Sequence, residues 1–168
     1  MSKPTNLANV KPGDLLPIKE QGAGLQLLKG TRILDLTTSI AGPYATLLLA
    51  DMGAEVIKIE RIGAGDDSRQ WKPPSLGEQS LWFCSVNRNK KSVALDLKDP
   101  RGTEILHSLL GSCDVVFSNQ LPKVRKSLGI DYDTLKSVRP DLVYVSVTGF
   151  GTGNARENWP CYDLIAEG

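Results

Sequence analysis

Long apolar runs are missing from this 168-residue chain, and with them any stretch of the roughly 18 residues that a membrane span requires. The N-terminus carries neither a signal-type apolar core nor an arginine-rich amphipathic segment. A cytoplasmic location is therefore expected, with a mitochondrion or peroxisome open to a longer eukaryotic parent. Charge of one sign is also missing: 20 Lys and Arg against 19 Asp and Glu leave a net +1, which exerts no global pull on nucleic acid or an anionic membrane. The one histidine, His107, stands alone on a helix next to Leu106, and a metal or triad role needs a set of partners, so no metal site is expected and the residue reads as structural. Three cysteines, Cys84, Cys113 and Cys161, are too few and too scattered for a disulfide frame. They point to a reducing compartment and to thiols used as small buried filler.

The most telling absence is a motif. Residues Ile33 to Arg61 write a strand, a turn, a helix and a second strand ending in the charged pair Glu60-Arg61. That is half of a doubly wound nucleotide site, in which ligands bind beyond the carboxyl ends of parallel strands. Yet the turn reads Ser39-Ile40-Ala41-Gly42-Pro43, with no G-x-G-x-x-G to cradle a pyrophosphate. A nicotinamide-dependent oxidoreductase is thus the weakest reading.

Composition is otherwise that of a globular domain, 40% hydrophobic and 23% charged. Residues 1–29, with Pro4, Pro12 and Pro17, show no sustained period and read as a loosely ordered lead-in to a domain over 30–168. Within that domain Ile33, Leu34 and Leu36 predict a strand. Gly42 reads as the N-cap and Pro43 as the first residue of a helix running to Met52, with Gly53 as its left-handed stop. Ala54 to Ile59 is the next strand. Gly63 to Ser80 is a long excursion whose embedded Trp71 argues against disorder.

Ser92 to Leu97 predicts a third strand, and Asp99 and Pro100 open a helix with Ile105, Leu106, Leu109 and Leu110 on one face. Asp114 to Ser118 is a fourth strand. Pro122 to Leu128 and the segment capped by Asp131 are short helices, and Leu142 to Thr148 is the last strand. Near-continuous apolar strands alternating with helices define an α/β fold, a Rossmann-like parallel sheet with helices on both faces.

Polar groups recur at the strand ends: Arg61, Lys98 and Asn119. All belong to one edge of such a sheet, which is more specific than any one of them. Asn87-Arg88-Asn89-Lys90-Lys91 reads either as a phosphate-holding cluster or as a solvated loop. Glu60 is a candidate partner for Arg61. Gly149 to Gly153 would let the backbone approach a ligand. Tyr162 and Asp163 begin a further helix near the end of the chain.

Taken together, LDLTTSIAGPYATLLLADMGAEVIKIER, GAGDDSRQW, SVNRNKKSVALDLKDPRG, DVVFSN, VSVTGFG and YDLIAEG resemble the class III CoA-transferase, or CaiB/BaiF, family. The likeness runs from Leu28 to the end. It implies the N-terminal Rossmann-like part of a large domain that binds coenzyme A, in enzymes that are typically interlocked homodimers. Carried over by position, the coenzyme A contacts fall on Ile40, Ala41, Arg61, Leu95, Asp96, Leu97, Lys98, Asn119 and Gln120, with Tyr162 and Asp163 close to the active site.

The implied activity moves CoA between an acyl-CoA donor and a carboxylic acid acceptor through an aspartyl-acyl intermediate. The nucleophilic aspartate of that pattern falls past Gly168, so the chain reads as a fragment without the nucleophile, inactive alone. Where the family reads N-F-x-P-G, this chain has Asn119-Gln120-Leu121-Pro122-Lys123, and Ser127 stands at a family arginine, with Arg125 and Lys126 a turn away. Racemases of the family place a histidine where Tyr162 stands, and a phenol of pKa near 10 is a poor base at neutral pH. Transferase is preferred over racemase. A non-catalytic nucleotide-binding or oligomerisation module is the alternative from another class.

Overall fold

Short β-branched and apolar runs separated by helices fold as the period predicts. A computed structural model describes residues 25–168. Its strands are β1 (Arg32–Asp35), β2 (Glu55–Glu60), β3 (Ser75–Leu76), β4 (Gln79–Ser80), β5 (Lys90–Ala94), β6 (Val115–Ser118) and β7 (Val143–Ser146). Five of them form one parallel sheet in the order β5-β2-β1-β6-β7, while β3 and β4 pair as a small antiparallel hairpin. The chain order reverses between β1 and β6. That is the switch point at which open α/β sheets form their ligand crevice.

The helices are α1 (Ala41–Asp51), α2 (Leu81–Asn87), α3 (Pro100–Leu110), α4 (Pro122–Ser127), α5 (Tyr132–Val138) and α6 (Asp163–Glu167). On one face of the sheet, Leu106 and Leu110 of α3 and Leu135 of α5 pack on Leu34, Ile57, Ile59 and Val116. On the other, Ala50 of α1 packs on Ile33, Val56 and Phe117. The expected α/β architecture with both faces covered is thus present. Among the described residues no helix is long and apolar enough to cross a membrane.

Several local expectations change. Residues 1–24 of the loosely ordered lead-in lie outside the described residues, but Leu28 is packed, its N–H donating to Met52 O at 3.0 Å. Helix α1 starts at Ala41, with Ile40 as an N-cap whose side chain makes no cap bond. Gly42 is therefore not the cap. It is there for room, because a Cβ on it would meet Thr37 Cβ at 2.4 Å. Strand β5 begins at Lys90, not Ser92, and α2 was not foreseen. On α3 the cap at Asp99 is as expected, but Ile105 turns to solvent. His107 leaves Nε2 buried without a hydrogen-bond partner. Of the cysteines only Cys113 is buried; Cys84 is exposed.

The α1 face of the sheet becomes polar toward the carboxyl ends of its strands. Lys58 in the middle of β2 is 1% exposed; its Nζ donates to Thr37 O at 2.7 Å and lies 2.8 Å from Asp66 Oδ2, off the hydrogen-bond line. Lys90 reaches across β2 to Asp35 Oδ2 at 3.0 Å, to Pro43 O at 2.7 Å and to Asn87 Oδ1 at 3.0 Å. Burial pushes the Lys90 ammonium below its ordinary range, against the pull of the Asp35 carboxylate. Neither reading of the 87–91 cluster fits Lys90, whose side chain is buried at the amino end of its strand. Its neighbours Arg88 and Asn89 bind Asp51, and Lys91 binds Glu55, as surface pairs.

Removing one partner of a buried pair leaves an uncompensated charge, at a cost of about 3–5 kcal/mol. Lys58→Met should destabilise the chain by that order in urea unfolding, and adding Asp66→Asn should recover part of the loss. A double variant no more stable than the single would show that the Asp66 charge is not what Lys58 compensates.

Candidate functional site

The carboxyl ends of β1, β2 and β5, together with the segment from Gln120 to Ile130, enclose a cleft of about 460 Å³. Its floor continues the core: Leu36 after β1, Ile59 in β2, Leu95 after β5, and Val124, Leu128 and Ile130 around α4. Its rim carries two cations, Arg61 and Lys98, both exposed, with the carboxylates of Asp67 and Asp96 beside them. An apolar floor under a rim of mixed charge, with Arg61 and Lys98 as its cations, suits a ligand with a flat or aliphatic body and polar, anionic groups.

Local chemistry fixes each wall. After β1, three successive backbone N–H groups are taken by side chains: Thr37 by Asp35 Oδ1 at 2.9 Å, Thr38 by Asn119 Oδ1 at 3.0 Å, Ser39 by Asp66 Oδ1 at 3.2 Å. Ser39 holds a left-handed φ of 72° there. Asn119 Nδ2 also donates to Thr38 O at 2.8 Å, stapling the end of β6 to the turn after β1. After β2 the loop folds back over the sheet. Arg69 donates from Nε and Nη2 to both oxygens of Glu60, at 2.6 and 2.8 Å, and lies 3.6 Å over the Phe83 ring. Trp71 meets Trp82 edge to face at 6.5 Å, in keeping with an ordered excursion.

The partner of Glu60 is thus Arg69, not Arg61. Arg61 donates from Nε to Gly65 O at 3.2 Å and from Nη2 to Asp67. Asp67 is further tied to Thr38, accepting from Thr38 Oγ1 at 3.1 Å and donating its N–H to the same oxygen at 3.3 Å. After β5, the Asp96 carboxylate accepts the Lys98 N–H at 2.9 Å. Here Gly102 of α3 allows a close approach, since a Cβ on it would meet Asp96 O at 2.0 Å.

Of the nine residues singled out for coenzyme A, six line the cleft: Arg61, Leu95, Asp96, Leu97, Lys98 and Gln120. Asn119 stands behind it, holding Thr38. Ile40 and Ala41 sit at the start of α1, outside the lining. Tyr162 and Asp163 lie on an exposed segment, Asp163 as the first residue of α6. Gly149 serves chain packing, because a Cβ there would meet Cys161 Cβ at 2.0 Å. Arg125, an alternative cation for the Ser127 position, is buried and donates to Ser146 Oγ; Lys126 is exposed. Thr38, Asp66, Asp67 and Arg69 were not singled out individually. The signal for the last three was the GAGDDSR segment, two acids and an arginine directly after a strand end.

With this geometry in view, the comparison with known proteins is decisive. The CoA-transferase family III model matches residues 28–168. The chain belongs to that family. It is 48% identical over 139 residues to succinyl-CoA:glutarate CoA-transferase of Mus musculus, a match covering 83% of this chain and 32% of the relative. It is 41% identical over 140 residues to formyl-CoA:oxalate CoA-transferase of Afipia carboxidovorans, covering 83% and 33%. Among solved structures, a CaiB/BaiF family protein from Brucella suis superposes with a TM-score of 0.77 at 36% identity, covering 82% of this chain and 37% of that one. The chain thus spans about a third of the length of the family III relatives it matches.

Two outcomes test the construction of the cleft. Burial pushes the Glu60 carboxyl up, but hydrogen bonds from Arg69, Ser92 and the Asp66 N–H outweigh it and hold the group at about 2. A depressed carboxyl stabilises fully above the unfolded value and loses that contribution as pH falls through the folded one. Urea unfolding of the chain should therefore weaken from about pH 5 down to about pH 2. Glu60→Gln should be less stable at pH 7 and show a shallower loss on acidification; an unchanged slope would remove Glu60 as a cause. Gly102→Ala should displace the Asp96 to Lys98 wall, since backbone at that distance must move, and the amide NMR shifts of residues 95–98 report it. Unshifted signals would mean that α3 gives way instead.

Proposed function

We propose that this chain forms the coenzyme A-holding part of an acyl-CoA:carboxylate CoA-transferase. The observation that carries the reading is the cleft: six carried-over positions converge on an apolar floor with Arg61 and Lys98 at its rim. In this reading the two cations pair with phosphates, Leu95 and Leu97 lie against the adenine, and Asp96 and Gln120 hydrogen-bond the polar groups between. Ile40 and Ala41 flank the ligand from the turn before α1. Asn119 acts through Thr38. The names of the relatives, which act on succinyl-CoA with glutarate and formyl-CoA with oxalate, support a donor and an acceptor that are both small carboxylic acids or their thioesters.

The chemistry is covalent catalysis by a carboxylate. An aspartate attacks the thioester carbonyl, releasing CoA thiolate and leaving an aspartyl anhydride. The thiolate attacks the aspartyl carbonyl, freeing the donor acid and forming an aspartyl thioester. The acceptor carboxylate then displaces the thiolate to give a second anhydride, and the thiolate attacks the acceptor's carbonyl, forming the new acyl-CoA and freeing the aspartate carboxylate. The nucleophile falls past Gly168 in the family pattern. The part proposed for this chain is to hold CoA so that the thiolate is retained between steps. Tyr162, where the family's racemases carry a histidine, favours transfer over racemisation. A homodimer is proposed for the whole enzyme on the family resemblance.

Coenzyme A should raise the Tm of the chain more than NAD does at equal concentration, because NAD depends on a glycine turn that is missing here; equal or reversed shifts would sink the assignment. Arg61→Ala should weaken CoA binding at least about tenfold, roughly 1.4 kcal/mol, with little change in Tm. Undiminished affinity by calorimetry would reduce Arg61 to a surface ion pair.

A further inference from the structure

The rim of the cleft contains an acid that the coenzyme A reading does not use. Asp67 accepts from Arg61 Nη2, and it is anchored by Thr38 through its N–H at 3.3 Å and its Oδ2 at 3.1 Å. Thr38 is in turn held on both its backbone groups by Asn119. The Asp67 carboxylate is therefore not a chance neighbour that a ligand sweeps aside. It is fixed to the turn after β1, beside the Arg61 guanidinium that lines the cleft, in a contact where Arg61 is 64% and Asp67 45% exposed. The Nε of Arg61 is also committed, to Gly65 O at 3.2 Å.

A fixed carboxylate beside an anion-binding cation has two separable effects. Its oxygen atoms orient the guanidinium, which favours binding. Its charge cancels much of the positive potential at the place where a phosphate would sit, which opposes binding. At a half-exposed rim the orienting effect survives replacement by a neutral acceptor, whereas the opposing charge does not.

We propose that Asp67 is an affinity-setting residue, which lowers the hold of Arg61 on a phosphate-bearing ligand and so lets the product thioester leave once the last step is complete. The inference rests on the proposed binding of coenzyme A at this cleft. It makes the rim a matched pair: Arg61 recognises the anion, and Asp67 limits how tightly.

The test uses isothermal calorimetry on the full chain and two probes, coenzyme A and inorganic pyrophosphate. Asp67→Asn, which removes the charge and keeps an acceptor, should tighten both probes about three- to fivefold at low salt, the range of an exposed charge pair. The gain should shrink as salt is raised and should vanish in an Arg61→Ala background. Asp67→Ser, a second charge-removing variant, guards against a local folding defect, and the Tm of each variant reports that defect directly. Unchanged or weaker binding of both probes by folded Asp67→Asn would overturn the proposal, as would a gain that persists without Arg61. If coenzyme A fails to bind while pyrophosphate shows the Arg61-dependent gain, the coenzyme A reading falls and the role of Asp67 stands. If neither probe binds, both fall.

Discussion

One buried ammonium, Lys58 Nζ, dictates where a cleft can form. A strand in the interior of a parallel sheet is covered on both faces, so a lysine in its middle must find partners or leave water uncompensated. Lys58 finds two: the carbonyl of Thr37 at the end of β1 and the carboxylate of Asp66 in the loop after β2. Satisfying that charge pulls the loop back over the sheet and fixes the turn beside it. Glu60, two residues further along the same face, repeats the device with Arg69, which in turn stacks on Phe83 of α2. Buried ion pairs add little net stability over apolar substitutes. Their effect here is positional, since no apolar pair at those sites would specify which loop residue must come to the sheet.

The two faces of the sheet accordingly do different work. Beneath α3 and α5 the packing is apolar from Leu34 to Ile59 and runs on without a break into the cleft floor at Leu36, Leu95 and Ile130. Beneath α1 it is apolar at Ile33, Val56 and Phe117 and then turns ionic at Asp35, Lys58 and Glu60. The cleft opens where the two meet. Its amphipathic character is thus inherited from the sheet, the floor from the apolar face and the rim from the loop that the ionic face recruits.

The elements legible in the sequence are those set by local period. The strands at 33–36, 54–59 and 114–118 and the capped helix at Asp99 depend on residues within a turn or two of one another, and they formed where expected. Helix α2 was not legible, because seven residues, LWFCSVN, are too few to display a period and follow a segment rich in proline and glycine. Of the cleft positions, Arg61 and Lys98 were legible as polar strand ends on one edge of a parallel sheet, whereas Leu95, Asp96, Leu97 and Gln120 came from the family resemblance. What could not be read was pairing. Lys90 finds Asp35, 55 residues away and on the far side of β2, only once the strand order β5-β2-β1 exists, and Glu60 chooses Arg69 over its neighbour Arg61 only once the loop has folded back. Charges near each other in sequence were the natural guess, and topology overrode it.

The missing glycine fingerprint follows from the same pairing. A dinucleotide turn works because its backbone N–H groups are unclaimed and glycine lets a pyrophosphate reach them. Here the corresponding groups of Thr37, Thr38 and Ser39 are already donated to Asp35, Asn119 and Asp66. Two of those acceptors are carboxylates, which would repel an incoming phosphate even if the backbone were cleared. Those three backbone groups are thus closed to a phosphate, and the cations that line the cleft beyond them are Arg61 and Lys98. Glycines at this turn would gain nothing while those acceptors remain, so the sequence is free to place Thr38 there and to use its hydroxyl to anchor the acid that faces Arg61.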